Sequence, residues 1–174
     1  MKRNLILSII LANILFMGCS CKKPTDVIPP DNYDPRNVSR NSTISANSFI
    51  TVDGNGTVHI IWRDVINGIE QILYSFKAIG QSWVSPINIS NSTVNASAPQ
   101  IAVDPAGGLH AVWDELGTSI QPVMYTTNNY GGNWYTPVDI SSSTQPGGAL
   151  PQVGIDIGGN VYVVYERGGG YGVP

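Results

Sequence analysis

Residues 83–90 read Trp-Val-Ser-Pro-Ile-Asn-Ile-Ser, and 51 residues later residues 134–141 read Trp-Tyr-Thr-Pro-Val-Asp-Ile-Ser. Working outward, Ile72-Leu73-Tyr74 answers Val123-Met124-Tyr125. Val58-His59-Ile60-Ile61-Trp62 answers Leu109-His110-Ala111-Val112-Trp113 and then Val161-Tyr162-Val163-Val164-Tyr165. Further upstream, Phe49-Ile50-Thr51-Val52-Asp53, Gln100-Ile101-Ala102-Val103-Asp104 and Gln152-Val153-Gly154-Ile155-Asp156 open three copies whose aspartates stand 51 and then 52 residues apart. A period of this length marks an array of similar units, and it has to be read before any single element is assigned.

Each full copy holds four short β-rich runs parted by Gly, Asn, Asp and Pro, with no sustained helical period. Four antiparallel strands per unit of about 50 residues is the make-up of a propeller blade. The second run of each copy is almost continuously apolar, as a strand covered on both faces should be. Pro86 and Pro137 fall in the fourth run, where a missing N–H can face solvent. The expected class is therefore all-β: a β-propeller of four-stranded antiparallel blades, with about two and a half blades present and the ring incomplete. The blades are expected at 46–96 and 97–147, with a partial third at 148–174. Two and a half blades cannot close a ring of four to eight. The chain accordingly reads as a fragment of a longer frame, with closure by oligomerisation as the alternative.

Between the third and fourth runs of the second copy stands Thr127-Asn128-Asn129-Tyr130-Gly131-Gly132-Asn133-Trp134. It resembles the Asp box of the sialidase-like, or bacterial neuraminidase repeat (BNR), propellers, with Thr127, Asn129, Gly131 and Trp134 in the motif's places and Asn129 where aspartate is usual. The first copy keeps only Gly80-Gln81-Ser82-Trp83. The resemblance implies that the box is a structural turn on the face opposite the functional one, which points to the other rim. There Arg63-Asp64, Asp114-Glu115 and Glu166-Arg167 follow the second run of each copy. Carboxylates and guanidinium groups around a propeller mouth could grip a glycan or a protein ligand.

A sialidase of this family would add an arginine triad, an acid/base aspartate, a Tyr/Glu pair and an Arg-Ile-Pro motif. No Arg-Ile-Pro occurs, and beyond residue 18 the arginines are Arg36, Arg40, Arg63 and Arg167. No catalytic residue is assigned. The reading favoured is a non-catalytic glycan- or protein-binding module, with the N-terminal part of a propeller glycoside hydrolase of exo-sialidase type as the alternative. His59 and His110 recur by repeat and read as structural, while Asp53, Asp104 and Asp156 precede Gly-rich turns they are suited to cap. No metal or cofactor is expected.

The N-terminus carries Lys2-Arg3, an apolar stretch to Met17, and then Gly18-Cys19. This resembles the signal peptide and lipobox of bacterial lipoproteins. Residues 1–18 are expected to be a signal peptide, Cys19 the lipidated residue, and 19–45 a flexible Pro-rich tether. The implied address is the bacterial cell envelope, at the outer membrane or cell surface, with the membrane as partner through the lipid. Cys19 and Cys21 are the only cysteines, leaving no disulfide framework for the folded part. Beyond residue 18, seven basic residues face twelve acidic ones, which argues against nucleic acid as a partner.

Overall fold

A computed structural model describes residues 37–42, 44–117, 121–128, 132–141 and 148–167, which form ten β-strands and no helix. Sheet 1 contains β1 (Ala46–Val52), β2 (Val58–Ile66), β3 (Ile69–Lys77) and β4 (Ile87–Asn88), joined in that order as an antiparallel meander. Sheet 2 repeats it with β5 (Asn95–Val103), β6 (Leu109–Leu116), β7 (Val123–Asn128) and β8 (Val138–Asp139). Sheet 3 pairs β9 (Gly148–Ile155) with β10 (Val161–Arg167). The all-β expectation holds. Among the described residues the three sheets do not close on themselves.

Local chemistry accounts for the turns. Asn67 and Gly68, both with positive φ, make the two-residue connection between β2 and β3, where a mirror-image turn matches strand twist. Asp53, Asp104 and Asp156 cap the turns after the first strands as the sequence predicted. Asp53 Oδ1 accepts from the N–H groups of Asn55 and Thr57, Asp104 Oδ1 from Ala106 and Gly108, and Asp156 Oδ1 from Gly158 and Asn160. The fourth strands are only two residues long because Pro86 and Pro137 precede them and cannot donate to the ladder. The serine that follows ties the fourth strand to the third: Ser90 Oγ accepts from Ile72 N at 2.9 Å and Ser141 Oγ from Val123 N at 3.1 Å.

The first strands share a feature the sequence did not reveal. Asn47, Ala98 and Leu150 occupy equivalent repeat positions and all have positive φ. A break in register lies at or beside each of these residues, in the pairing of β1 with β2, β5 with β6 and β9 with β10. These are bulges that bend the first strand at a fixed point.

The sheets pack face to face. Ile61, Ile72, Tyr74 and Ile89 of sheet 1 and its exit meet Ala96, Ile101, Leu109, Ala111 and Trp113 of sheet 2 in one buried cluster. Full burial of each isoleucine contributes on the order of 2 kcal/mol relative to exposure. The Trp134 ring stands edge-on to Tyr74 at 5.0 Å, so the tryptophan before β8 packs on the preceding sheet. Sheet 3 sits on sheet 2 through Gly148. An added Cβ there would overlap the Tyr165 ring and lie 2.7 Å from Val123 Cγ2.

Two sequence expectations are modified. The second strands run past their tryptophan or tyrosine to Ile66, Leu116 and Arg167, so the charged pairs lie within strands and not after them. Of the expected tether, residues 19–36 lie outside the described residues, but Asn37–Ser42 and Ile44–Ser45 are fastened to sheet 1. The Arg40 guanidinium donates to Trp83 O at 2.7 Å and to Ser85 Oγ at 2.9 Å. Asn41 Nδ2 and Ser45 Oγ donate to Asp64 Oδ2 at 2.7 and 2.9 Å. The physical reason is the burial of Asp64, whose carboxylate takes these donors in addition to Trp62 Nε1 and Val65 N of sheet 1.

Because a Cβ at Gly148 would meet both Tyr165 of sheet 3 and Val123 of sheet 2, Gly148→Ala should destabilise the fold by about 1–3 kcal/mol through overpacking. Urea unfolding of both proteins would measure the loss. A shift in midpoint below a few tenths of a kcal/mol would contradict the close packing.

Candidate functional site

Most of the candidate pairs from the sequence are engaged within the fold or half-buried. Arg63 is bound to Glu70 at 2.9 Å, with both side chains about one quarter exposed. Asp64 is fully buried, and beyond the donors of Asn41 and Ser45 it accepts from Trp62 Nε1 at 3.0 Å. Asp114 is buried and accepts from the N–H of Leu150 at 3.1 Å, joining sheet 2 to the bulge of sheet 3. Burial pushes the Asp114 carboxyl above the usual range, against the Leu150 N–H that favours the charged form. Glu115 is half-buried and Glu166 exposed, while the side chain of Arg167 lies outside the described residues. Hydrogen bonds or an ion pair thus already engage Arg63, Asp64 and Asp114 within the fold.

Of the Asp-box residues, Asn129 and Gly131 lie outside the described residues, as does Cys19. Thr127 and Trp134 are placed at the two ends of the turn. Thr127 Oγ1 donates to Leu109 O at 2.7 Å, Tyr135 N donates to Thr127 O at 2.9 Å, and Asn128 bridges to Trp134. Asn128 Oδ1 accepts from Leu109 N at 2.9 Å.

The site the structure does form is a cleft of about 1100 Å³ between sheets 1 and 2. Its wall on sheet 1 carries His59, Tyr74 and Phe76, and its wall on sheet 2 carries Leu109, Met124 and Trp134. Asn55, Asn88, Asn133 and Tyr135 bring polar groups to the edges, and Glu115 reaches the same space. Tyr135 is 55% exposed, so its ring is presented to solvent beside the half-buried Trp134. The cleft involves the rim of the first-to-second and third-to-fourth turns, the rim that the sequence reading had set aside as structural. Asn88, Asn133 and Tyr135 were missed because nothing in an isolated Asn or Tyr marks it. The one signal was the adjacency of Tyr135 to Trp134.

Each full copy carries an Asp–His–Tyr chain, and that of the first copy lines the cleft. His59 Nδ1 lies 2.8 Å from Tyr74 Oη and His110 Nδ1 lies 2.7 Å from Tyr125 Oη. Their Nε2 atoms face Asp53 at 3.5 Å and Asp104 at 3.3 Å. The first contact is the longer of the two. A carboxylate cannot donate, so the neutral ring carries its proton on Nε2 and accepts the tyrosine O–H at Nδ1. In the third copy Tyr162 Oη donates directly to Asp156 Oδ2 at 3.1 Å, replacing the histidine. Burial would raise Asp53, but the N–H groups of Thr57 and Asn55 together with His59 outweigh it and hold the carboxyl low. Burial and the Asp53 charge raise the Tyr74 phenol, which stays neutral. Such a chain orients its rings, and that of the first copy holds part of the cleft wall. Among the described residues no group of three or more His, Cys, Asp or Glu side chains could hold a metal.

No family model matches the sequence, and no curated protein sequence matches it. Among solved structures, the chain is similar to a fucose lectin from Kordia zhangzhouensis in complex with methyl-fucoside, at 15% identity and a TM-score of 0.45. The match covers 68% of this chain and 81% of that one. A likeness that distant carries no argument about this chain.

Burial lowers the pKa of His59 from its ordinary 6.5, with Asp53 pulling upward and losing. The unfolded chain therefore takes up a proton before the fold does. The stability due to neutral His59 is complete above pH 6.5 and declines as the pH falls below it. Thermal melts should show the midpoint dropping between pH 7 and pH 5 more steeply for the native protein than for His59→Gln. Parallel profiles would mean that His59 does not titrate differently in the two states.

Proposed function

We propose that this protein is a lipid-anchored lipoprotein of the bacterial envelope whose sheets are blades of a sialidase-like propeller, binding a glycan without cleaving it. The observation that carries the reading is the composition of the cleft between sheets 1 and 2. Exposed Tyr135 and half-buried Trp134 line the same space as the exposed amides of Asn55 and Asn133, while the Asn88 amide is held within the fold by Gln71 Oε1 and Asn91 N. A sugar presents a C–H face that packs on an aromatic ring and hydroxyls that both donate and accept. An amide offers both functions in one side chain, so a pocket of aromatic walls and convergent amides suits a neutral carbohydrate. The propeller reading is supported by two equivalent four-stranded meanders, the equivalent bulges and the Trp134 contact across sheets.

The non-catalytic reading rests on the carboxylates. Two-carboxylate glycoside hydrolysis needs a pair flanking a bound sugar. Asp53 and Glu115 are the carboxylates that line the cleft, and Asp53 is engaged by the N–H groups of Asn55 and Thr57 in capping its turn, while Asp64 and Asp114 lie outside the cleft lining, buried and hydrogen-bonded to donors of the fold.

A glycan array probed with the purified mature protein should give selective binding, with no release of fluorophore from a sialoside assayed in parallel. Tyr135→Ala and Asn133→Ala, both at exposed positions, should each weaken binding about tenfold, or about 1.4 kcal/mol, and leave the melting temperature unchanged. Turnover of the sialoside, or undiminished binding in both variants, would overturn the proposal.

A further inference from the structure

We propose that the cleft between sheets 1 and 2 takes a linear, acid-free oligosaccharide several units long, lying along β6 from Trp134 and Tyr135 at one end to Glu115 at the other. This rests on the glycan reading above and adds the length, direction and charge of the ligand.

The register of β6 gives the direction. Leu109 pairs with Asn128, which bridges to Trp134, so the aromatic end of the cleft is level with the start of the strand. Glu115 stands six residues further along, about 20 Å away at the rise of a β-strand. Its backbone pairs with Ala96, and Thr93, exposed in the link that leads into β5, lines the cleft as well. A single sugar ring cannot touch both ends. The volume of about 1100 Å³ agrees, since about 300–1000 Å³ already accommodates a drug-sized molecule.

Glu115 is a carboxylate that the fold has released. Its repeat equivalent, Asp64, accepts from Trp62 Nε1, Asn41 Nδ2 and Ser45 Oγ. After 51 residues Ser45 becomes Ala96, which has no hydroxyl, and Asn41 becomes Ser92, whose Oγ accepts from Val94 N. Trp113 Nε1, the counterpart of Trp62 Nε1, is buried with no partner among the described residues. Among those residues the half-buried Glu115 side chain makes no hydrogen bond, and it lines the cleft instead. A carboxylate only accepts and has two oxygens, so it matches a pair of sugar hydroxyls.

Charge sets what is excluded. Asp53 and Glu115 line the cleft, and among the described residues no lysine or arginine does. A uronic acid, sialic acid or sulfate would bring a further negative charge against these carboxylates with no cation to meet it.

A glycan array carrying linear acid-free series of one to six units, beside uronic-acid, sialylated and sulfated chains, tests the proposal. Binding of the mature protein should be confined to acid-free chains and should strengthen about tenfold from one unit to four. Glu115→Gln should cost the four-unit chain about tenfold. Thr93→Trp, at an exposed position toward the same end, should block the gain with length and keeps the test decisive if Glu115→Gln disturbs the fold. Equal binding of one unit and four, a preference for an acidic chain, or a gain with length that survives both substitutions would overturn this proposal and leave the glycan reading standing. An array on which no sugar binds would overturn the glycan reading and this one with it.

Discussion

The structure depends on one contact, the face of one sheet received by the face of the next. Ile61, Ile72 and Tyr74 have no other way to leave water, because a single four-stranded meander has two faces and can bury neither by itself. The repeat follows from that need. If the same face must be covered each time, the same residues must recur at the same register, and Leu109, Ala111 and Trp113 stand where Val58, Ile60 and Trp62 stood. The bulges at Asn47, Ala98 and Leu150 belong to the same constraint. A first strand bent at a fixed position brings its backbone to the preceding sheet, and Leu150 uses that approach to bond Asp114.

Strand order was legible in the sequence because it depends on period and alternation, which survive substitution. The turn aspartates were legible as well, since Asp before a Gly-rich stretch has a local reason to be there and the reason does not depend on the neighbouring sheet. The charged pairs were not. Arg63-Asp64 and Asp114-Glu115 look the same whether a strand ends before them or carries them inward, and only the position of the next sheet decides which carboxylate is buried. The N-terminal segment was misjudged for a related reason. Its prolines and polar residues fit a tether, yet Arg40, Asn41 and Ser45 are there to satisfy carbonyl and carboxylate groups on sheet 1. Composition reports what a segment cannot bury, and says little about what it can bond.

The buried carboxylates also show how charge can serve the fold. Asp64 collects donors from Asn41, Ser45 and Trp62, so removing its partners would leave a buried charge uncompensated, a far larger penalty than losing a surface pair. Asp114 has fewer donors among the described residues, and its carboxyl is raised by burial. The two residues are neighbours of equivalent positions and not equivalent themselves, so the repeat has been adapted separately at its first and second sheets.

That uneven conservation within the chain is itself a guide to where function can sit. A position that every sheet must fill alike is held by packing, as the Asp–His–Tyr chains are, with Tyr162 taking over the histidine's bond to aspartate in the third copy. Around the cleft the copies part. Tyr135 replaces Val84, Asn133 replaces Ser82, and Glu115 replaces Asp64, although the backbone there repeats closely enough for Val84 N and Tyr135 N to make the same bond to Phe76 O and Thr127 O. Folding demands the shared backbone and not the differing side chains. The freedom to differ lies where an aromatic ring, amides and a carboxylate converge on open space, and a binding site can be placed there with the least cost to the stack.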